Sequence, residues 1–272
     1  MKSIKKWIFV LLALLLLTGC SRQEAEPTEP STKTVWLHSS ITRTYSQVSN
    51  HTEYIYNEED RLTDVIVSDG TGQELQRYLV TCDEVGNPIR WDTSVSGLAS
   101  SLTYTYDDRG RTLGTYAYTE DTMVTSTENT FSGDLQSCVT IKSPAQNFEQ
   151  RTEYTYDEKG GLTRQDQYVD GILTGYGLFK VDKEGRPVRC ENYDREGTLL
   201  TIVTYAYEGT METRTYTDGT GTLVTQEQVM TYDEWGNLLT STVFDGSGNP
   251  LSEETHTWRA IQVAADQPRA GV

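Results

Sequence analysis

Tyr154-Thr155-Tyr156-Asp157-Glu158-Lys159-Gly160-Gly161-Leu162 is the stretch whose reading decides the fold. Its first part alternates: Glu153 and Thr155 fall on one side, Tyr154 and Tyr156 on the other. A period of two in Thr and Tyr is the pattern of a half-covered strand. The second part is a reversal. Asp at the first position of a type I turn accepts backbone N–H groups ahead of it, and Gly at the fourth tolerates positive φ. Asp-x-x-Gly between two alternating segments therefore predicts a β-hairpin.

The unit recurs. Tyr104-Thr-Tyr106-Asp107-Asp-Arg-Gly110-Arg111 and Met230-Thr-Tyr232-Asp233-Glu-Trp-Gly236-Asn237-Leu238 are close copies. Weaker ones are Tyr54-Ile-Tyr56-Asn57, Cys82-Asp83 with Gly86, Val181-Asp182 with Gly185, and Tyr205-Ala-Tyr207-Glu208, with Phe131 in the remaining register. Positions 56, 82, 106, 131, 156, 181, 207 and 232 lie 24 to 26 residues apart, and Trp258 falls 26 further on. A fixed period of this length marks a repeat architecture. Halfway through most units a second reversal appears, as in Asp69-Gly70, Asp170-Gly171, Asp194 to Gly197, Asp218-Gly219 and Asp245 to Gly248.

The expected fold is all-β: an elongated, twisted or curled antiparallel array of about sixteen strands, with no significant helix outside a signal peptide. At ~4.8 Å per strand such a sheet would run roughly 75 Å. That length forces twist, coiling or closure, and the sequence does not choose among them. An open array would have edges near Thr52–Tyr56 and Glu254–Trp258.

These units resemble YD repeats, the unit of the RHS-repeat family found in toxin-complex proteins, polymorphic toxins and teneurins. The resemblance covers residues 51–260. It implies strips of antiparallel strands that spiral into a shell, some enclosing a toxin cargo, whereas shorter arrays are implicated in cell-surface and carbohydrate binding. With eight units, and residues 258–272 after them, the expectation here is an extracellular β-strip with a contact role rather than encapsulation.

Ahead of the array, Lys2, Lys5 and Lys6 precede an apolar run from Trp7 to Leu17. The run is too short to span a bilayer and matches a signal-peptide core. It ends in Leu17-Thr18-Gly19-Cys20, which resembles the bacterial lipobox, so residues 1–19 are expected to be removed and Cys20 lipidated. Residues 20–50 follow as the lipidated Cys and an extended linker, whose start, SRQEAEPTEPSTK, carries too little apolar surface to fold. Residues 261–272 are expected to be a C-terminal tail. The implied location is extracytoplasmic, lipid-anchored at the bacterial cell membrane or cell surface.

Without residues 1–19 the chain holds twenty Lys and Arg against forty Asp and Glu. Phosphate is repelled by such a surface, which excludes nucleic acid as a partner. Cys82, Cys138 and Cys190 are an odd number without metal-site spacing. Cys138 and Cys190, two repeats apart, are expected to be unpaired because ~19 Å of sheet separates them.

Seventeen Tyr stand against five Phe. Tyr104/Tyr106, Tyr154/Tyr156 and Tyr205/Tyr207 pair at i, i+2, as Tyr54/Tyr56 does, and rings aligned over repeats would form a ladder on which a linear glycan stacks. The competing reading is that the same rings hold adjacent hairpins together, at roughly 0.2–1 kcal/mol per cross-strand pair. The recurring Asp residues suit calcium, but one per hairpin is what the turn requires, so neither metal nor cofactor is expected. His38, His51 and His256 stand beside no nucleophile motif, and no enzyme is expected. The membrane (through the lipid) and a glycan or cell-surface protein are the expected partners. The alternative is a structural spacer or self-associating scaffold.

Overall fold

A computed structural model describes residues 32–269, apart from 47 and 96. The signal segment, Cys20 and the start of the linker lie outside the described residues. The strands in chain order are β1 (Thr32–Tyr45), β2 (Val48–Tyr56), β3 (Leu62–Asp69), β4 (Glu74–Cys82), β5 (Pro88–Val95) and β6 (Leu98–Tyr106). Then come β7 (Thr112–Thr119), β8 (Thr122–Ser132), β9 (Leu135–Ser143), β10 (Phe148–Tyr156), β11 (Leu162–Val169) and β12 (Ile172–Val181). The last six are β13 (Pro187–Asp194), β14 (Leu199–Glu208), β15 (Met211–Asp218), β16 (Val224–Tyr232), β17 (Leu238–Asp245) and β18 (Pro250–Ala264).

Every strand pairs antiparallel with its chain neighbours, and β1 pairs with both β2 and β18. The sheet is therefore a closed up-and-down barrel of eighteen strands, not an open, curled strip of sixteen. The count of sixteen took two strands for each of eight units, and β1 lay outside it. β1 carries no Tyr-x-Tyr-Asp unit, yet it closes the ring. The two edges expected near Thr52–Tyr56 and Glu254–Trp258 are both covered by it, since closure removes edges. Strand begins at Thr32, inside the stretch assigned to the linker, and β18 runs on to Ala264, inside the stretch assigned to the tail.

The turns form as their chemistry requires. Asp157 Oδ1 accepts the N–H of Lys159 at 2.9 Å and of Gly161 at 2.8 Å, while Gly160 N donates to Asp157 O. Gly160 has φ +85°, a conformation that a side chain would strain. The same pair of carboxylate bonds recurs at Asp83, Asp107, Asp182 and Asp233. Two units without Asp-x-x-Gly have shorter links, Gly133-Asp134 and Gly209-Thr210, whereas Asn57 keeps the longer turn by accepting the N–H groups of Glu59 and Arg61. A register shift recurs just before most of these turns, for example between Thr105 and Tyr106 and between Thr155 and Tyr156. Such bulges add local twist, which closure into a barrel needs.

All turns that follow the tyrosine units lie at one end, the tyrosine rim; the halfway turns form the far rim. β1 starts and β18 ends at the tyrosine rim. There Val35, Leu37, Ile261 and Val263 form the buried apolar cluster, with Tyr56 packed against it. Buried residues on β18 fall on even positions up to His256 and on odd ones from Ile261, so the last part of the β1–β18 ribbon covers its opposite face. Residues 265–269 lie across neighbouring turns: Asn87 Nδ2 donates to Pro268 O, Gln267 Nε2 to Val85 O, and Arg269 to Asp60 O.

Candidate binding site

The covered face of the sheet is the lumen wall. On β4 the alternation is plain: Gln76, Tyr78, Val80 and Cys82 are shielded, while Leu75, Arg77, Leu79 and Thr81 face out. Register carries the inner face around the ring. Val65, buried, stands between Tyr54 and Tyr78, Val80 stands opposite Trp91, and Trp91 opposite Leu102.

Tyr104/Tyr106, Tyr154/Tyr156 and Tyr205/Tyr207 are on this inner face, on β6, β10 and β14. They are four strands apart, about 19 Å along the sheet, so the rings of successive pairs are not neighbours. The intervening β8 and β12 carry Phe131 and Phe179 there, and β16, beyond β14, carries Met230. Ring contacts of the wall instead run between Tyr78 and Trp91 (5.7 Å), Trp91 and Tyr104 (6.0 Å), and His38 and Tyr54 (5.4 Å).

Within each pair the two tyrosines do different things. The second gives its hydroxyl to the carbonyl of the preceding strand: Tyr56 to His38, Tyr106 to Pro88, Tyr156 to Gln136 and Tyr207 to Pro187, at 2.7–2.8 Å. In the last unit Trp258 Nε1 replaces the phenol and donates to Leu238 O. Two of these rings also carry an Arg guanidinium, Arg259 over Tyr56 and Arg186 over Tyr207. The first tyrosine sits deeper. Burial pushes the phenols of Tyr104 and Tyr205 up to about 12.

A concavity lies on this wall, a cleft of about 250 Å³ lined by Gln76, Tyr78, Trp91, Thr93, Leu102 and Ala117. Tyr104 adjoins it through the Trp91 ring. Trp91 Nε1 is buried there without a hydrogen-bond partner, a donor that costs free energy until an acceptor reaches it. Aromatic faces beside amide and hydroxyl groups suit a ligand with an apolar face and a hydroxylated edge.

A second constellation forms at the closure seam. Arg43 Nε donates to Glu254 Oε1 at 2.8 Å, Glu254 Oε2 lies 3.4 Å from His256 Nε2, and His256 Nδ1 lies 3.4 Å from His38 Nε2. His38 packs on Trp258 with ring centroids 3.6 Å apart. Burial holds His256 below the usual histidine range, against the opposing pull of Glu254. Nothing local in the sequence signalled this group, because β1–β18 pairing joins residues 218 apart. Trp91 and Tyr78 were missed for a simpler reason: they lie outside the Tyr-x-Tyr unit. Among the described residues no group of three or more His, Cys, Asp or Glu is placed to hold a metal ion, and Cys82, Cys138 and Cys190 are free thiols.

The outer face is charged. Ion pairs at 2.7–3.0 Å join Arg77 to Asp64, Arg151 to Glu153, Arg164 to Asp166 and Arg189 to Glu191. Arg151 lies over Tyr168 and Arg164 over Tyr176. Among the described residues no helix is long and apolar enough to cross a membrane.

Fold and wall together define a closed antiparallel β-barrel of hairpin repeats with an aromatic lumen. No family model matches the chain, and no curated protein matches it. Among solved structures, the TcdB2-TccC3 crystal structure is similar over 76% of this chain, with 16% identity and a TM-score of 0.42. This chain spans 14% of that one's length. A porin-like protein from Bacteroides uniformis is similar over 85% of this chain and 100% of its own, with 13% identity and a TM-score of 0.37. One from Bacteroides vulgatus matches over 82% and 98%, with 9% identity and a TM-score of 0.36.

Proposed function

We propose that the protein is a YD-repeat lipoprotein, tethered outside the cytoplasmic membrane through Cys20, whose barrel binds carbohydrate without catalysis at the Tyr78–Trp91–Tyr104 wall. The observation that carries this reading is the cleft itself: adjoining rings, Gln76 and Thr93 beside them, and the unpartnered indole N–H of Trp91. A pyranose presents C–H groups to rings and hydroxyls to amides, which is what this lining complements.

Tethering fits the exterior better than threading does. A membrane-spanning barrel needs an outward apolar band, and each cationic side chain at mid-bilayer costs about 2–4 kcal/mol. The paired charges of Arg77, Arg151, Arg164 and Arg189 face outward on this barrel. Because β1 starts at the tyrosine rim, a lipid on Cys20 would turn that rim to the membrane and the far rim away from it.

The structural-scaffold reading keeps one observation in its favour: the hydroxyls of Tyr106, Tyr156 and Tyr207 are committed to backbone carbonyls. It predicts no ligand at all. Calorimetric titration of the full chain in detergent with a panel of soluble glycans and cell-wall oligosaccharides separates the two. Loss of binding in Trp91→Ala and Tyr104→Ala, with Tyr193→Ala on the outer face unchanged, supports the lumen site. Retained binding in the first two variants removes the site from the reading, and no binding by the wild type favours the scaffold.

A further inference from the structure

The barrel is closed, but not evenly. The ladder between β4 and β5 holds four residue pairs, from Leu79↔Asp92 to Cys82↔Pro88, the shortest in the sheet. Beyond Leu79 towards the far rim, Glu74–Tyr78 of β4 and Thr93–Val95 of β5 have no ladder between them. β4 keeps its other side paired to β3, and β5 keeps its own paired to β6. The result is a length of strand edge inside a closed barrel, opening on a groove of about 510 Å³ lined by Glu74, Leu75, Arg77, Leu79, Asp92 and Ser94.

The direction of the backbone groups can be read from one bond. Thr93 Oγ1 donates to Arg77 O at 2.8 Å, so the Arg77 carbonyl points into the gap. In a strand the N–H of a residue points to the same side as its C=O, so the Arg77 N–H points there too. A side-chain hydroxyl thus occupies a position that a neighbouring strand would otherwise take.

The outer wall of the gap is apolar at alternate positions. Leu75 and Leu79 are 57% and 59% exposed. They flank Arg77, which is already paired to Asp64 and Glu74, and Arg90 is likewise paired to Asp92. Three carboxylates around the groove are therefore set against two guanidiniums. A second copy of this chain, itself carrying a net charge of −17, is a poor fit to that surplus.

We propose that the β4 edge between β4 and β5 is a strand-addition site for an extended peptide segment of another protein, apolar at alternate residues and basic between them. The peptide would pair with the Arg77 N–H and C=O, displacing the Thr93 hydroxyl, and set its apolar residues on Leu75 and Leu79. Main-chain bonds supply affinity in this mode and alternate side chains supply specificity. The site borders the lumen cleft, sharing Gln76 and Thr93 with it, but its pairing groups are the backbone of β4 rather than the rings of the cleft.

Hydrogen exchange of the full chain, with and without a short peptide of alternating valine and lysine, tests the idea. The amide of Arg77, which faces the gap, should exchange at least about tenfold more slowly with that peptide, and a valine–glutamate peptide should leave it unchanged. Two variants locate the effect. Leu75→Asp, on an exposed side chain, should weaken peptide binding about tenfold without altering the fold. Tyr78→Cys with Thr93→Cys, at the next register position beyond Leu79↔Asp92, should block binding when oxidised and restore it on reduction. Absence of slowing at the Arg77 amide, slowing that survives the oxidised staple, or slowing that grows with protein concentration without peptide would each overturn the proposal. The last outcome would assign the edge to a second copy.

Discussion

Tyr106 donates its phenol to the carbonyl of Pro88 at 2.7 Å, just past the point where the β5–β6 ladder ends at Arg90↔Thr103. The bond explains why the unit ends in Tyr rather than Phe: a strand end leaves a carbonyl without a ladder partner, and the phenol reaches it. Tyr106→Phe keeps the ring and removes the donor, so it should destabilise the barrel by about 1–2 kcal/mol. Urea unfolding followed by tyrosine fluorescence checks this. An unchanged midpoint would mean that water satisfies the carbonyl equally well.

The second prediction concerns acid. Asp245 is held below the usual carboxylate range by Asn249 Nδ2 and by the backbone N–H groups of Asn249 and Ser247; Thr220 does the same for Asp218, and Thr71 for Asp69. A carboxyl whose folded pKa lies below its unfolded one adds stability above the unfolded value, and this is lost as pH falls through the folded one. Turn stability should therefore decline below pH ~4. Relief of self-repulsion in so acidic a chain acts in the opposite sense, which is why Asp245→Asn is the informative comparison. The variant should melt lower than the wild type at neutral pH, and the gap should narrow as the pH is taken down. A gap constant with pH would show that the carboxylate charge plays no part.

Much of this was legible in residues whose chemistry is local. Asp157 and Gly160 specified their turn, and the alternation of Tyr154 with Thr155 specified strand and face. What was not legible depended on distance. β1 closes the ring through pairs such as Trp36↔Ala260, and no unit in Thr32–Tyr45 announces that it is a strand. The tyrosine ladder failed on geometry. The double-tyrosine units recur every two repeats, hence every four strands, so Tyr104 meets Trp91 on the adjacent strand and not Tyr154. The open edge between β4 and β5 likewise has no local signature, since Glu74–Tyr78 reads as an ordinary alternating strand.

Closure itself can be tested by removing β1. A chain shortened to begin at Val48 would expose the edges of β2 and β18, both of which β1 covers. Unpaired edges recruit other strands, so the shortened protein should form dimers or larger species at concentrations where the full chain does not. Light scattering behind size exclusion distinguishes the two. A monomeric, well-folded product would mean that β2 and β18 pair directly, and that β1 is dispensable for closure.

The final prediction lies at the same seam. His256 is buried between Glu254, His38 and Trp258, and desolvation holds its pKa below the ordinary histidine value. Its unfolded state therefore binds a proton at a pH where the folded state does not. By linkage, stability rises with pH through that interval, which begins near the ordinary histidine value of ~6.5 and extends downward. Arg43, bonded to Glu254 and of the same sign as a protonated His256, adds to the penalty. Melting temperatures taken from pH 7 to 5 should fall for the wild type and stay flatter for His256→Gln, which keeps a polar side chain without the titration. The acidic turns titrate lower, so the two effects separate along the pH axis. A wild-type curve that rises as pH falls towards 5 would show that protonated His256 gains more from Glu254 than it loses by burial, reversing the sign assigned to the seam.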